Sequence, residues 1–458
     1  MTGLLFVILV VTHAVAGSRL SATNEKRVRR LVRDWAPLVW LAPGERFLPL
    51  GVTEFLDNVQ SDQYYLHTRI DVEFYLSKWR ICSSVMETIE IAWRSAASST
   101  SVVIFGLEQK NKYFNFLYSN IYGNACYPLI HICIYSVQKS LLQNRSSFLY
   151  GRRPAGTVPI YALVKNCVSK DMRLRARNTP MLKTSEERNT FTLLQDSGFL
   201  AQRQTYSAND LREQIISQEQ MRQAATVPRF EKIREENGCQ KVHFHVTYWM
   251  FYPFSEGKTI CVLDLGFFGS WPIPTISGVC IGTLKEYGSH IGDWEHMSLY
   301  FKDNEYPLAM YVSAHDVGAF YQYDPRNGTF IYESQETRKG LFQKPTFPEK
   351  VYTAGDSHPI LFSARGSHGL WTAPGKHKFV RVPRLYDESG FGTAWPTWKR
   401  LELLLEEDNE PLPGWMTFKG KWGNPSSNCH PLARLGFNIC EFVDGPTGIP
   451  MKKFNFRC

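Results

Sequence analysis

"KVHFHVTYWMFY", Lys241 to Tyr252, decides the fold class. Val242, Phe244, Val246 and Tyr248 alternate with His243, His245, Thr247 and Trp249, the two-residue period of a strand with two unlike faces. "WEHMSLYF", "LAMYVSAH", "GTFIYES" and "PILFSAR" repeat that texture downstream, separated by Gly, Pro, Asp and Asn. Strands at this spacing argue for antiparallel sheets closed into a sandwich or barrel. The expected fold is therefore mainly β, an antiparallel β-sandwich core with peripheral helices and a helical insertion.

Upstream, "EKRVRRLVRDW" reads as a basic helical start, followed by the Pro-punctuated "APLVWLAPGERFLPLGVTEFL" and the strand-like "SVVIFGL" and "TVPIYALV". Between residues 170 and 238 the composition turns to Gln, Glu and Arg. There "ANDLREQIISQEQMRQAA" opens on Asn-Asp and carries Leu211, Ile215, Met221 and Ala225, the pattern of an exposed amphipathic helix. The chain so divides into a signal segment at 1–17, a β-rich N-terminal part at 18–169, a polar helical insertion at 170–238 and a C-terminal β-sandwich part at 239–458.

At 458 residues and 43% hydrophobic, the chain can bury a sizeable core. "MTGLLFVILVVTHAVAG" is one apolar run ending in a small-x-small "AVA", the pattern a signal peptidase accepts, and it is too short to span a bilayer. Ten cysteines without any CxxC spacing favour disulfides in a secreted chain over a zinc ribbon, with Cys458 expected to staple the C-terminus. The sequons at Asn144 and Asn327 fit glycosylated surface loops in that compartment. The formal charge of +9 is compatible with anionic glycans or lipid headgroups, and nothing in the chain suggests a nucleic-acid partner. Secretion is the first expectation for location, and the lumen of a vacuole or lysosome the second.

Chemistry concentrates in "GSHIGDWEH", Gly288 to His296. In a strand Asp293 and Glu295 share a face and His290 lies within reach of both, a set that suits a hard divalent cation such as calcium or magnesium. His296 and Trp294 point to the other face. The alternatives are carboxylates that only accept backbone N–H groups at a turn, or a general acid/base pair, although no GxSxG or HExxH accompanies it. "YVSAHDVGAFYQ" adds His315 and Asp316 at a strand end, and "SARGSHGLW" adds Arg365, Ser367 and His368. Trp249, Tyr252, Trp271, Trp294, Tyr321 and Trp371 offer stacking surfaces for sugar rings, with core packing the commoner fate of such residues.

The ordered set "WAPLVWLAPGERFLPLGVTEFL", "TVPIYALV", "VTYWMFYPFSEGK", "GSHIGDWEHMSLYF", "YVSAHDVGAFY", "SARGSHGLW", and "KGKWGNP" with "DGPTGIP" resembles the vacuolar protein sorting-associated protein 62 family, from about Asp34 to Pro450. The resemblance implies a tie to vacuolar transport and no defined chemistry; the secretory start and the segment 170–238 fall outside it. "HIGDWEH" followed by "VSAHDVG" is also similar to the necrosis- and ethylene-inducing peptide-like proteins, secreted β-sandwich cytolysins related to actinoporins. That similarity implies a divalent cation at His290, Asp293 and Glu295, with His315 downstream, helping to bind a sphingolipid's sugar headgroup. Gly292 stands where that pattern has histidine, and its upstream acidic ligand has only Glu286 and Asp264 as candidates. The expected function is a secreted, divalent-cation-dependent protein binding a glycan or lipid headgroup, with Trp294, Asp316, Arg365, Ser367 and His368 around the ligand, and with a membrane surface as a further partner. A metal-assisted hydrolase of a phosphoester or glycan is the rival from another class, and a non-catalytic structural or sorting-associated protein is the third.

Overall fold

A computed structural model describes residues 22–61, 64–69, 138–167 and 242–452, apart from 267–268, 277–278, 316, 338–344, 381–384, 407–410 and 431–439. The signal segment, "SVVIFGL", the 170–238 insertion with its helix, Asp316 and Cys458 lie outside the described residues.

The long strand expected at Lys241–Tyr252 is β5, His243–Ser255. It pairs over its whole length with β9, His290–Lys302, antiparallel, and on its other side with β4, Ile160–Asn166. These three are central in an eight-stranded sheet completed by β10 (Ala309–Ala314), β11 (Val317–Asp324), β12 (Thr329–Thr337), β13 (Lys350–Val351) and β20 (Leu401–Glu406), in the order β13-β12-β11-β10-β9-β5-β4-β20. All neighbours are antiparallel except β20 and β4. A five-stranded sheet holds β1 (Leu38–Leu41), β14 (Thr353–Ala354), β15 (His358–Ser363), β16 (Leu370–Trp371) and β19 (Thr393–Pro396).

The two large sheets enclose the main core: Val246, Tyr248, Met250 and Tyr252 of β5 meet Val39, Leu41, Leu361 and Trp395, with Val28, Leu31 and Val32 of α1, Ala22–Asp34, closing one end. Two sheets sharing one core of side chains are the sandwich that the strand spacing predicts. The fold is mainly β as expected, yet the polar face expected for β5 is confined to its first half. There His243 Nε2 meets the Tyr300 hydroxyl at 2.7 Å and the Thr247 and Ser298 hydroxyls meet at 2.8 Å. Every residue of β5 after His243 is buried, and from Trp249 onward both faces are apolar, because Trp249, Phe251 and Trp294 form a second core with Phe47, Phe55, Met416 and Trp422 on the far side of the sheet.

Smaller sheets decorate this body. β2 (Val59–Ser61), β3 (Tyr65–Thr68) and β21 (Lys421–Trp422) cover the second core together with α2, Val52–Leu56. β17 (Gly375–Val380) and β18 (Leu385–Ser389) form a hairpin, and β22 (Ser427–Cys429) and β23 (Cys440–Phe442) another, the latter carrying the Cys429–Cys440 disulfide. β6 (Lys258–Asp264), β7 (Ser270–Pro272) and β8 (Thr283–Tyr287) make a three-stranded finger holding the Cys261–Cys280 disulfide. Strands from both sides of 170–238 share both large sheets, so the described parts of 18–169 and 239–458 pack as one body.

Candidate functional site: two buried carboxylates and a basic cleft

The loop Ala364–Gly369 between β15 and β16 sends its side chains to two carboxylates. Its turn is closed by His368 N–H to the Ala364 carbonyl at 2.9 Å, with Gly366 N–H donating to Glu45 Oε2 at 2.7 Å. His368 is fully buried; its Nδ1 donates to Asp293 Oδ2 at 3.1 Å and its Nε2 to the Phe47 carbonyl at 3.0 Å, while its ring stacks on Tyr252 at 3.9 Å. Both partners are acceptors, so both ring nitrogens carry protons and His368 is an imidazolium. Burial alone would lower its pKa, but the hydrogen bond to Asp293 and the charges of Glu45 and Asp293 outweigh it and hold it raised. Burial would conversely raise Asp293, and the His368 hydrogen bond with the nearby His290 holds it lowered.

The second carboxylate is Asp387 of β18, fully enclosed. Oδ1 accepts from Lys258 Nζ at 2.9 Å and Ser367 Oγ at 2.7 Å, and Oδ2 from His315 Nε2 at 2.7 Å and Trp371 Nε1 at 3.0 Å. Burial disfavours the charge; His315 and Lys258 reverse that and keep Asp387 ionised, well below the usual carboxylate range. His315 also stacks on Phe379 at 4.2 Å, and Lys258 Nζ lies 5.7 Å from the same ring. His315 and His368 both hold left-handed backbone, with φ of 56° and 58°, a conformation concentrated at turns and functional loops.

The four residues expected to share one cation are thus divided. Asp293 and Glu295 do face the same side of β9, opposite Tyr252 and Met250. Asp293, however, is engaged by His368, His290 Nδ1 donates to the Gly292 carbonyl at 2.7 Å, and His315 belongs to Asp387. Among the described residues no three His, Cys, Asp or Glu side chains are grouped to hold a metal ion. The donor set present does not fit a His290–Asp293–Glu295–His315 cation site; the positive charge beside Asp293 is an imidazolium. Burial lowers the pKa of His290, opposed by the charge of Asp293. Trp294 lies on the opposite face, as the alternation predicts, but it is enclosed in the second core, stacked on Trp415 at 5.8 Å, and offers no face to a ligand. Trp249, Tyr252, Tyr321 and Trp371 are likewise buried, and Trp271 alone of the expected aromatics is exposed. Asn144 and Asn327 are exposed on turns, as glycosylation sequons require.

Next to Asp387 a cleft of about 580 Å³ opens, lined by Arg46, Glu256, Lys258, Arg365, Lys376 and Glu388 among others. Arg46 pairs with Glu256, while Arg365 and Lys376 both reach Glu388, at 2.9 and 3.7 Å. Cations outnumber anions on this wall four to two. Of the cleft residues Arg365 carries a signal in the sequence and Lys258 does not, nor do the buried carboxylates Asp387 and Glu45 beside the cleft. Gly292 gives a further local reason for this packing: with φ of 71°, its Cβ position lies 2.5 Å from the Trp422 carbonyl, so a side chain would push β21 off β9.

Two curated proteins of Saccharomyces cerevisiae are similar to this chain. Vacuolar protein sorting-associated protein 62 is 27% identical over 218 residues, and its paralogue TDA6, also described as vacuolar protein sorting-associated, is 26% identical over 226. The matches cover 44% and 45% of this chain and span 39% and 41% of the relatives' own lengths. No family model and no solved structure matches.

Proposed function

We propose, for a chain whose resemblance to the vacuolar protein sorting-associated protein 62 family is borne out by these two relatives, that it is a binding protein for anionic, hydroxyl-rich headgroups. The observation that carries the reading is the cleft in which Arg46, Lys258, Arg365 and Lys376 surround a space of about 580 Å³. Arginine presents a planar fork that matches a phosphate, and the interspersed Glu256 and Glu388 supply acceptors for sugar hydroxyls. Lys258 is held on the buried Asp387 and is thereby a fixed charge, which reduces the ordering cost of binding. In this reading the cation near Asp293 is supplied internally by His368, so recognition needs no divalent ion. The relatives' names are compatible with a vacuolar location, and the apolar N-terminal run with an extracellular one.

Isothermal titration of the purified protein with inositol trisphosphate, mannose phosphate and glycerophosphoserine tests the proposal. We expect saturable binding of at least one, unchanged by EDTA and weakened about tenfold in an Arg46→Ala, Arg365→Ala, Lys376→Ala variant. Absence of binding, or binding indifferent to that variant, removes the cleft from consideration. Heat from calcium or magnesium that disappears in Asp293→Asn, Glu295→Gln would instead establish the cation-dependent form of the same function.

Hydrolysis is a second reading with one observation in its favour: half-buried His315 is oriented by a buried carboxylate, the arrangement of a general base. Ser367, however, donates to the other oxygen of Asp387 and not to His315, so no serine nucleophile stands behind the imidazole. Phosphodiester or glycoside cleavage that is lost in His315→Gln would favour this reading over binding alone.

A further inference from the structure

The finger of β6, β7 and β8 carries most of the large apolar side chains that are exposed among the described residues. Leu263, Trp271, Ile276, Val279, Ile281 and Leu284 are from 38% to 66% exposed, whereas along its three strands only Cys261 and Val262 are buried. Leu263 sits opposite Trp271 across the β6–β7 ladder, and Ile276 and Val279 exchange both backbone hydrogen bonds at 3.0 and 2.9 Å where the excursion turns back. The Cys261–Cys280 disulfide fixes that returning strand to β6. Trp271 rests edge-on against His430 at 5.2 Å on one side and is 38% exposed on the other. Apolar side chains clustered on one disulfide-braced sheet, and not scattered singly over the surface, mark an interaction site.

We infer that this finger is a membrane anchor that inserts its apolar end shallowly into the headgroup and acyl boundary of an anionic bilayer. Charge selects the lipid surface over other partners. The finger rises from the cleft itself, since Lys258 and Thr259 begin β6 and line that wall with Arg46, Arg365 and Lys376. Lys285 of β8 is paired with Asp264 of β6 at 3.5 Å, so the positive charge comes from the cleft at the base of the finger and its apolar end carries none. Thr259 and Leu263 are four residues apart along the strand, about 13 Å at roughly 3.3 Å per residue. With the apolar end seated roughly 5–10 Å deep, that separation keeps the basic cleft outside the acyl layer, on the side of the lipid phosphates. Shallow seating is also what the backbone requires: β7 and β8 are outer strands of a three-stranded sheet, and their unpaired N–H and C=O groups tolerate the wet interface but not the hydrocarbon core.

The anchor leans on the cleft reading only for the sign of the lipid charge, and one experiment separates them. Flotation with vesicles of one part phosphatidylserine to two parts phosphatidylcholine compares the intact protein, an Ile276→Ser, Val279→Ser, Ile281→Ser variant, and the Arg46→Ala, Arg365→Ala, Lys376→Ala variant. We expect the finger variant to bind vesicles about tenfold more weakly or worse while titrating soluble headgroups normally. The cleft variant should lose the preference for phosphatidylserine and keep the residual binding to pure phosphatidylcholine. Because these side chains are largely exposed, the finger variant should melt at the wild-type temperature. As an independent readout, brominated phosphatidylcholine should quench tryptophan fluorescence in the intact protein, and Trp271→Phe should remove that component. The anchor is overturned if the finger variant floats like wild type, or if Trp271→Phe leaves quenching unchanged. It is equally overturned if light scattering finds a wild-type dimer that becomes monomeric in the finger variant, meaning that a second copy covers the patch.

Discussion

At His368 two acceptors face the two ring nitrogens, and this decides what Asp293 can do. The carboxylate and the Phe47 carbonyl each need an N–H, so the ring holds its extra proton in a buried site. Its raised pKa makes its share of stability complete at low pH and lost as pH rises through the folded value. His358 behaves in the opposite sense. Burial lowers it to about 4, its Nδ1 donates to the Ala36 carbonyl at 2.7 Å, and it stacks on Trp398. The unfolded chain takes up that proton first, so stability is lost as pH falls below roughly 6.5 and levels off beneath about 4. Denaturant titrations across this window should show about 3 kcal/mol more acid loss in wild type than in His358→Gln; equal slopes would mean His358 is protonated in the fold. Individual residues were unevenly legible. Period-two alternation correctly put Asp293 and Glu295 on one face and Trp294 and His296 on the other. Nothing local in "RLYDESG" distinguishes Asp387 from an exposed strand acid, because its partners Lys258 and His315 are 129 and 72 residues away.

At the scale of elements, α1 shows which part of an amphipathic sequence does the docking. Val28, Leu31 and Val32 fall on one side at helical spacing and are buried in the main core, while the half-buried Arg27 and the more exposed Arg30 both pair with Glu305. Glu25 in the first turn and Arg33 in the last complement the helix dipole. Glu305 is about half exposed, so its ion pairs gain little over water. Leu31→Ala should therefore destabilise by about 2–5 kcal/mol and Glu305→Ala by less than about 1 kcal/mol, read from chemical denaturation midpoints. A larger loss at Glu305 would mean that the ion pairs hold the helix. This helix was readable because its period is local. The true extent of burial on β5 was not, since a strand buried on both faces and one with a polar face differ only by what packs against Trp249 and Phe251, and Phe47, Phe55 and Trp422 come from both ends of the chain.

For the whole molecule, the order of strands in space contradicts their order in sequence. β1 is hydrogen-bonded between β15 and β19, and β4 between β5 and β20, so each large sheet threads an N-terminal strand between C-terminal ones. Alternating texture reveals strands but carries no information on such pairings, which is why a boundary at 170–238 looked natural from composition. The topology makes a definite demand. Without β4, the edge of β5 is open and Tyr161, Ile160 and Val164 leave both cores; without β5 to β20, β1 and β4 have no partner. An unpaired, apolar strand edge promotes aggregation. Residues 18–169 and 239–458 made as two separate chains should each be insoluble alone, yet when co-expressed under oxidising conditions they should co-purify as one complex that melts in a single transition. Independent folding of either chain would show that the interleaved strands are dispensable, and two separate transitions in the complex would show that the sheets are not one cooperative unit.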